Sequence, residues 1–245
     1  MSRYEALAPF YDALTGDVPY EALAAWYAAR LQERPRPVRT VLDLACGTGG
    51  LTLPLAKLGY ETIAVDAAPD MLAVLADKAL ETPGIVRPLI LCQELPWLDL
   101  YGTVDACVCC LDGMNYLPPD DLPELFSRLH LFLEPDGLLA FDFHRPERLR
   151  SLDGQTFVDE REDLLCLWRA AFDETEMCLV YGMDIFRREG ALWSREQEEH
   201  AEYAHGPEAL KQALAAAGFV YIRLWEDGPQ HQLGRLFLTA ENTPH

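Results

Sequence analysis

The sequence predicts an α/β fold in which helices cover both faces of a mainly parallel sheet. Short apolar strands alternate with stretches of helical periodicity from residue 38 to residue 143, the pattern of repeated strand-helix units. A glycine-rich turn joins the first strand to the helix that follows it. Half of the 245 residues are hydrophobic, so the chain can bury the core that such a fold needs.

The elements of this sheet follow one another along the chain. Apolar residues at helical spacing predict a first helix over residues 20–31, which two prolines then end. Because helices connect the strands that follow, those strands are expected to be parallel. The pattern predicts strands over residues 38–44, 62–65, 86–92, 103–110 and 138–143, and helices over residues 51–58, 69–79 and 122–133.

Between residues 155 and 205 the apolar period changes to two, as a strand with one buried face requires. Turn-forming residues at 173–175 and 188–190 divide this region into three or four antiparallel strands. The alternation is clearest at Met177, Leu179, Tyr181, Met183 and Ile185.

The chain after this region returns to the main sheet. A helix begins at Pro207 and ends at Gly218. Two last strands, over residues 219–225 and 233–239, are joined by a connection too short for a parallel crossover, so they must be antiparallel. The predicted parts are an N-terminal helical segment (1–37), a main domain (38–150 and 206–245) and an antiparallel β insertion (151–205).

The charge and the cysteine content disfavour several classes of protein. Forty acidic residues against 20 basic ones give a net charge of −20, which disfavours binding to nucleic acid. The polar amino terminus lacks the apolar centre of a secretion signal, and no apolar run approaches the roughly 20 residues of a membrane helix. The seven cysteines are an odd number, and three lie in one apolar strand, which favours reduced thiols. We therefore expect a cytoplasmic protein without disulfides.

A nucleoside site is predicted at the glycine-rich turn after the first strand. The helix that follows presents free amide groups at the strand's carboxyl end, and Gly47 and Gly49 let the backbone approach a ligand. Asp66 ends the next strand, where a carboxylate can accept hydrogen bonds from ribose hydroxyls. Thr52 takes the place of the third glycine of a dinucleotide fingerprint, and no Walker lysine follows. Together with Asp43, these residues favour an adenosine nucleoside.

Three segments carry a resemblance to a known family. Residues 41–49, VLDLACGTG, resemble the first motif of the class I S-adenosylmethionine-dependent methyltransferases, and residues 65–72, VDAAPDML, resemble their second strand with its ribose-binding acid. Residues 131–138 resemble the approach to their fifth strand. The resemblance implies a doubly wound, Rossmann-like sheet of seven strands with the last strand antiparallel, in the type that carries an antiparallel β insertion after the fifth strand. It also implies that residues 1–37 form a lid; the alternative is that the aromatic residues of this segment only pack the first helix against the sheet.

The resemblance implies S-adenosylmethionine as the cofactor. Ala45, Gly47 and Gly49 would then line its methionine end, and Asp66 would hold the ribose. Asp43 would orient the loop or reach the amino group of the cofactor through water. The full set of predicted cofactor residues is Tyr11, Asp43, Ala45, Gly47, Gly49, Asp66, Ala67, Met71, Glu94, Leu95 and Leu111.

The implied reaction is an in-line methyl transfer, which requires alignment and exclusion of water but no metal ion. We therefore predict no metal site. His144 is a weak candidate for a general base, since a loop histidine more often packs locally, and the catalytic residue stays unknown. The predicted substrate residues are Tyr20, Asp112, Asn115, Tyr116, His144 and Trp168.

Several alternatives remain open at this point. The acidic balance and the absence of an Asn-Pro-Pro-Tyr segment after the fourth strand favour a small molecule or a protein side chain as acceptor. A dinucleotide-dependent oxidoreductase and a non-catalytic regulatory module are the alternative functions. The insertion either covers the substrate pocket, forms the surface of a homodimer, or only stabilises the fold.

Overall fold

The computed structural model describes Tyr4 and residues 6–244. Within these residues the strands form two separate sheets, one of seven strands and one of four. The strands are β1 (Thr40–Leu44), β2 (Glu61–Asp66), β3 (Leu89–Cys92), β4 (Val104–Cys109), β5 (Leu133–His144), β6 (Thr156–Glu160), β7 (Leu164–Asp173), β8 (Cys178–Glu189), β9 (Leu192–Tyr203), β10 (Val220–Trp225) and β11 (Arg235–Glu241). The α-helices are α1 (Tyr11–Leu14), α2 (Tyr20–Gln32), α3 (Thr52–Lys57), α4 (Pro69–Glu81), α5 (Leu122–Phe132), α6 (Pro146–Arg150) and α7 (Pro207–Ala216).

The larger sheet has the strand order β10-β11-β5-β4-β1-β2-β3. Strands β1 to β5 are parallel, whereas β11 is antiparallel to both of its neighbours. This confirms the predicted mixed sheet with an antiparallel last strand. The strand order reverses between β1 and β4, and a crevice opens at the carboxyl ends of the strands at such a switch point.

Apolar layers hold the helices against the two faces of this sheet. On one face, Leu125 and Phe126 of α5 are fully buried. On the other face, Leu23 and Tyr27 of α2 are fully buried against strand residues that include Val41. The helices therefore owe their place to apolar stripes at helical spacing.

The smaller sheet is antiparallel, in the order β6-β7-β8-β9. The N-terminal segment packs on it, because Ala6 and Leu7 share an apolar cluster with Met183 and Ile185. The same segment packs Ala8 against α4 on the larger sheet. The N-terminal segment therefore contacts elements of both sheets.

Several element bounds differ from the sequence prediction. Most shift by one to three residues, but β5 begins at Leu133 instead of residue 138. Strand β3 begins at Leu89 instead of residue 86, because Pro88 lacks the amide hydrogen that a ladder needs and restricts the residue before it. Helix α6, Pro146–Arg150, was missed, since five residues are too few to display a helical period. Among the described residues, none of the helices has the length and apolar character of a membrane span.

Candidate active site

A cavity of about 1040 Å³ lies at the carboxyl edge of the larger sheet. Its floor is formed by residues at the ends of β1, β2, β3 and β4. The N-terminal segment and the inserted sheet supply its other walls, through residues such as Tyr4, Tyr11, Trp168 and Tyr181. The cavity therefore occupies the position where open parallel sheets bind their ligands.

The glycine-rich turn after β1 borders this cavity with bare backbone. Ala45 and Gly47 have positive φ angles of 52°, which turn the chain away from the strand direction. A Cβ atom at Gly47 would meet no other atom within 4 Å, so this face of the turn is open. A flat ligand can approach the backbone closely here.

Asp66 at the end of β2 joins two loops. Its Oδ2 accepts a hydrogen bond from the Gly47 N–H (2.8 Å), and its Oδ1 accepts one from the Ala68 N–H (2.9 Å). Burial raises the pKa of Asp66, although these backbone hydrogen bonds oppose the rise. The carboxylate borders the cavity beside the glycine turn, a position that fits the hydroxyl groups of a ribose.

Asp43 lies deeper, beneath the turn. It is 1% exposed and its Oδ2 accepts a hydrogen bond from the Thr52 hydroxyl (2.6 Å) at the start of α3. Burial raises its pKa to about 7, although the bond from Thr52 lowers it. Asp43 is thus hydrogen-bonded to the helix that follows the turn, and its two predicted roles toward the loop and the cofactor stay predictions.

Gly49 is the one predicted cofactor residue that does not border the cavity. Its φ angle is +80°, and a Cβ atom there would lie 2.2 Å from Leu75 Cδ1. Glycine is therefore needed for close packing against α4. At the next position, Gly50 borders the cavity and a Cβ atom would lie 2.4 Å from the ring of Tyr20. The other predicted cofactor residues border the cavity: Tyr11, Asp43, Ala45, Gly47, Asp66, Ala67, Met71, Glu94, Leu95 and Leu111.

The turn after β4 is built around a buried carboxylate. Leu111 and Asp112 are consecutive residues with positive φ angles, of 56° and 58°, a conformation that costs energy for residues with side chains. Asp142 holds them there, because it accepts hydrogen bonds from both of their N–H groups (3.0 and 2.9 Å). Tyr27 and Arg235 also donate to Asp142. Asp112 is thereby pointed to the cavity, which it borders.

Two predicted substrate residues, Asn115 and His144, do not border the cavity. Asn115 is fully buried, where its amide donates to the Tyr203 carbonyl (2.9 Å) and accepts from the His144 N–H (2.9 Å). It therefore ties β9 of the inserted sheet to the tip of β5. The remaining predicted substrate residues, Tyr20, Asp112, Tyr116 and Trp168, border the cavity.

The imidazole of His144 lies 3.6 Å from Asp112 Oδ1 and 3.4 Å from an Arg235 nitrogen. Burial lowers its pKa, and Arg235 adds to this effect while Asp112 opposes it. The ligand atoms of Asp112, His144 and Glu202 lie within 4.8 Å of one another, a separation that a metal ion could bridge. Arg235, however, lies 2.8 Å from Asp112. Since the Arg235 guanidinium already supplies the positive charge that a metal ion would bring, we interpret Asp112, His144 and Glu202 as members of a charged cluster with Arg235 rather than as metal ligands.

Comparisons with known proteins agree with this geometry. A family model described as a methyltransferase domain matches residues 41–137. YqeM of Bacillus subtilis (strain 168), which is named as a methyltransferase, is 30% identical over 98% of this chain and 97% of its own length. The chain belongs to the class I S-adenosylmethionine-dependent methyltransferases. The cofactor of this methyltransferase is therefore S-adenosylmethionine, and the dinucleotide-dependent and non-catalytic alternatives are not favoured.

Solved structures show the same fold. An S-adenosylmethionine-dependent methyltransferase from Clostridium acetobutylicum ATCC 824 superposes with a TM-score of 0.82 at 24% identity, over 98% of this chain and 99% of that one. The sugar N-methyltransferase KedS8 from Streptoalloteichus sp ATCC 53650 superposes with a TM-score of 0.80 at 21% identity, over 96% and 93% of the two chains. The inserted sheet is thus part of the architecture that the methyltransferase shares with them.

The N-terminal segment of the methyltransferase is hydrogen-bonded to β9 on one side of the cavity and to the glycine turn on the other. Glu198 on β9 accepts hydrogen bonds from the N–H groups of Ala6 (2.7 Å) and Leu7 (3.2 Å). At the glycine turn, Asp12 accepts a hydrogen bond from the Thr48 hydroxyl (2.5 Å) and forms an ion pair with Lys78 (2.6 Å). The segment, predicted to form a lid, therefore contacts both the inserted sheet and the glycine turn.

Several residues of the methyltransferase that border the cavity were not predicted from the sequence: Arg148, His200, Glu202 and Arg235. His200 and Glu202 lie in a strand whose sequence, REQEEHAE, has no apolar alternation, so no period indicates which side chains face inward. Arg235 offered a signal, because a charge inside an apolar strand needs a buried partner. The partner is Asp142, which also interrupts an apolar strand.

Proposed function

We propose that this methyltransferase transfers the methyl group of S-adenosylmethionine to a small-molecule acceptor. The acceptor would bind between the turn after β4 and the inserted sheet. The observation that carries the proposal is the cavity itself, whose volume of about 1040 Å³ reaches the upper end of the roughly 300–1,000 Å³ expected for a single ligand. It has room for the cofactor and a second small molecule.

The residues at the ends of β1, β2 and β3 would hold the cofactor. Asp66 would accept hydrogen bonds from the ribose, and the open face of the turn at Gly47 would lie against the methionine end. Glu94 and Leu95, which border the cavity beyond β3, would contact the adenine. When bound, S-adenosylmethionine supplies an activated methyl group to a nucleophile in line with the methyl–sulfur bond. The protein's part is to align the acceptor and exclude water.

Two features support a small acceptor over a protein side chain. The lid and the inserted sheet wall the cavity on the side away from the strand ends, with Trp168 and Tyr181 packed edge to face (ring centroids 6.3 Å apart). KedS8 is named as a sugar N-methyltransferase, and a sugar is an acceptor of this size. Nucleic acid is disfavoured by the net charge of −20.

A labelling experiment tests the proposal. The protein would be incubated with S-adenosylmethionine that carries a trideuteromethyl group, together with short peptides and a defined mixture of amino acids, amino sugars, sugars, phenols and thiols. Mass spectrometry would identify the labelled products. We expect the label on a component of the mixture. Label found only on added peptides, or on no compound while S-adenosylhomocysteine binds, would contradict the proposal.

Trp168 offers a variant with a matched control. Trp168→Ala should raise the KM for the labelled acceptor about 10-fold, as loss of roughly 1.4 kcal/mol of binding would do, and leave the affinity for S-adenosylhomocysteine unchanged. Trp193→Ala removes a half-exposed indole of the same sheet that does not border the cavity, and should change neither value. Equal effects of the two substitutions would contradict a role of the inserted sheet in acceptor binding.

A further inference from the structure

Glu202 is a buried carboxyl group that the proposed function does not yet use. It lies on β9, is 5% exposed and borders the cavity. Its Oε2 has no hydrogen-bond partner among the described residues. Buried carboxyl oxygens are normally paired, so this atom is suited to a group on a ligand.

The charged side chains around Glu202 leave its carboxylate unbalanced. Arg235 forms ion pairs with both Asp112 and Asp142. Arg148 also acts electrostatically on Glu202 but forms no ion pair with it among the described residues. Glu202 is the additional acid in this cluster. A ligand that brings one positive charge to this point would balance it.

The other titratable groups near Glu202 are already paired or are neutral. His200, two residues earlier on β9, is hydrogen-bonded to Glu198 (3.0 Å). Burial raises the pKa values of Tyr4, Tyr116, Tyr181 and Cys178, so these groups stay neutral. His144 is held neutral as well, because burial lowers its pKa. The neutral phenol rings of Tyr4, Tyr116 and Tyr181 border the cavity around the carboxyl group, and aromatic faces attract cations.

We propose that Glu202 receives the protonated amino group of the acceptor and takes its proton before methyl transfer. This inference rests on the proposed function and adds the substrate class, a small amine. A proton passes from the ammonium nitrogen to the Glu202 carboxylate, which frees the nitrogen lone pair. The lone pair then forms a bond to the methyl carbon as the carbon–sulfur bond breaks, and its electron pair stays on sulfur, giving the methylated ammonium and S-adenosylhomocysteine.

The surroundings of Glu202 suit this proton transfer. A free glutamate has a pKa of about 4.3 and an alkylammonium one of about 10.4, so the proton would strongly prefer the amine. Burial raises the pKa of Glu202 well above the ordinary value, with Asp112 adding to the rise and Arg235 and Arg148 opposing it. The carboxylate is therefore a stronger base than a free glutamate, and the positive charge of a bound ammonium favours its ionised form.

The atom that carries the label separates this inference from the proposed function. In the labelling experiment with the trideuteromethyl cofactor, fragmentation of the product should locate the label on nitrogen. Label on oxygen, sulfur or carbon of a small molecule would overturn the inference and leave the proposed function standing. Absence of any labelled small molecule would contradict both.

Glu202→Gln tests the role of the carboxylate, with Glu199→Gln as the control. Glu199 lies on the same strand, but is exposed and does not border the cavity. With the labelled amine as substrate, we expect Glu202→Gln to lower kcat/KM about 10²- to 10⁴-fold while binding of S-adenosylhomocysteine and the circular dichroism spectrum stay unchanged. Glu199→Gln should match the unsubstituted protein.

The pH profile distinguishes a proton acceptor from a structural residue. In the unsubstituted protein, kcat/KM should fall at low pH as Glu202 becomes protonated, at a pH above the ordinary carboxyl range. In Glu202→Gln the change at that pH should vanish, and the rate should instead rise at higher pH, as the free amine forms in solution near an alkylammonium pKa of about 10.4. An acid limb that is the same in both proteins would overturn the assignment.

Discussion

At the scale of single residues, Asp66 combines two tasks. It borders the cavity, and its two oxygens accept hydrogen bonds from Gly47 and Ala68, so the loops after β1 and β2 are held in one arrangement. A ligand that uses this carboxylate therefore meets a surface that is already ordered. Such preorganisation lowers the cost of binding.

Asp66→Ala should weaken binding of S-adenosylhomocysteine by about 1–3 kcal/mol, because a charged hydrogen-bond acceptor is lost from the site. Titration calorimetry measures this directly. Asp77→Ala removes an exposed carboxylate from α4, away from the cavity, and should leave the affinity unchanged. If Asp66→Ala also retained full affinity, the ribose assignment would be wrong.

Gly49 and Gly84 form a matched pair for separating strain from packing. Their φ angles are +80° and +78°, but a Cβ atom at Gly49 would lie 2.2 Å from Leu75 Cδ1, whereas one at Gly84 would meet nothing within 4 Å. Leu75 is fully buried and cannot move aside freely.

Both Gly49→Ala and Gly84→Ala should therefore lose about 1–2 kcal/mol of unfolding free energy to the left-handed conformation, and Gly49→Ala a further 1–3 kcal/mol, roughly, to overpacking. Urea denaturation of the two variants measures the difference. Equal losses would mean that Leu75 adapts without cost.

At the scale of the element, β9 binds the N-terminal segment through Glu198 and borders the cavity through His200 and Glu202. Glu198, His200 and Glu202 share one side of the strand, and Glu198 binds the N–H groups of Ala6 and Leu7. Burial alone would raise the pKa of Glu198, but hydrogen bonds from His200 and the lid outweigh it and hold the value below 4.5. The anchor is therefore fully present above pH 4.5 and is lost only as the pH falls through the lower folded value.

Glu198→Ala should loosen the lid. Loss of hydrogen bonds to a charged group costs about 1.5–3 kcal/mol. The state in which the N-terminal segment is detached should therefore become roughly 10- to 100-fold more populated, and chymotrypsin should cleave at Phe10 or Tyr11 faster by the same factor. Mass spectrometry of timed digests gives the rate. Glu196 lies on the same strand as Glu198 and forms an ion pair with Arg187 of β8. Glu196→Ala removes only this ion pair and should not accelerate cleavage. A lid cut at the same rate in both variants would contradict the anchoring role of Glu198.

The same strand marks the limit of what the sequence could reveal. Apolar alternation predicted β8 correctly, because Leu179, Met183 and Ile185 are buried on one face. Strand β9 buries His200 and Glu202 instead, and polar residues give no signal of which face they occupy. The cofactor end of the cavity could be predicted because the backbone there requires particular residue types, such as glycine at position 47, and these form a recognisable motif. The proposed acceptor end depends on how two sheets pack together, which no motif records.

At the scale of the whole molecule, charge opposes compactness. The net charge is −20, and self-repulsion of this kind destabilises the folded state at low salt. Raising sodium chloride from 0.01 to 0.15 M shortens the screening length from about 30 to about 8 Å. The melting temperature should rise by about 2–4 °C for each kcal/mol of repulsion removed.

Differential scanning calorimetry checks this, and potassium chloride should give the same shift because screening does not depend on the cation. A melting temperature that falls over the same range would mean that attractive ion pairs, such as Arg34 with Glu241, outweigh the overall repulsion.

The overall fold was within reach of the sequence because most strands of the larger sheet are short, apolar and bounded by turn residues. The reversal at the last strand followed from one short connection between β10 and β11. By contrast, the ion-pair cluster of Asp112, Asp142 and Arg235 joins residues that are far apart in the chain. The spacing of residues along the sequence does not predict contacts between residues so far apart in the chain.

The division of the cavity between two sheets that share no hydrogen-bonded strand pairing has a consequence for how such proteins diversify. Substitutions along β7, β8 and β9 can reshape the part of the cavity where we propose that the acceptor binds, while the strand ends of the larger sheet keep their geometry. Related enzymes can thus evolve to methylate different acceptors while they keep the same binding site for the methyl donor.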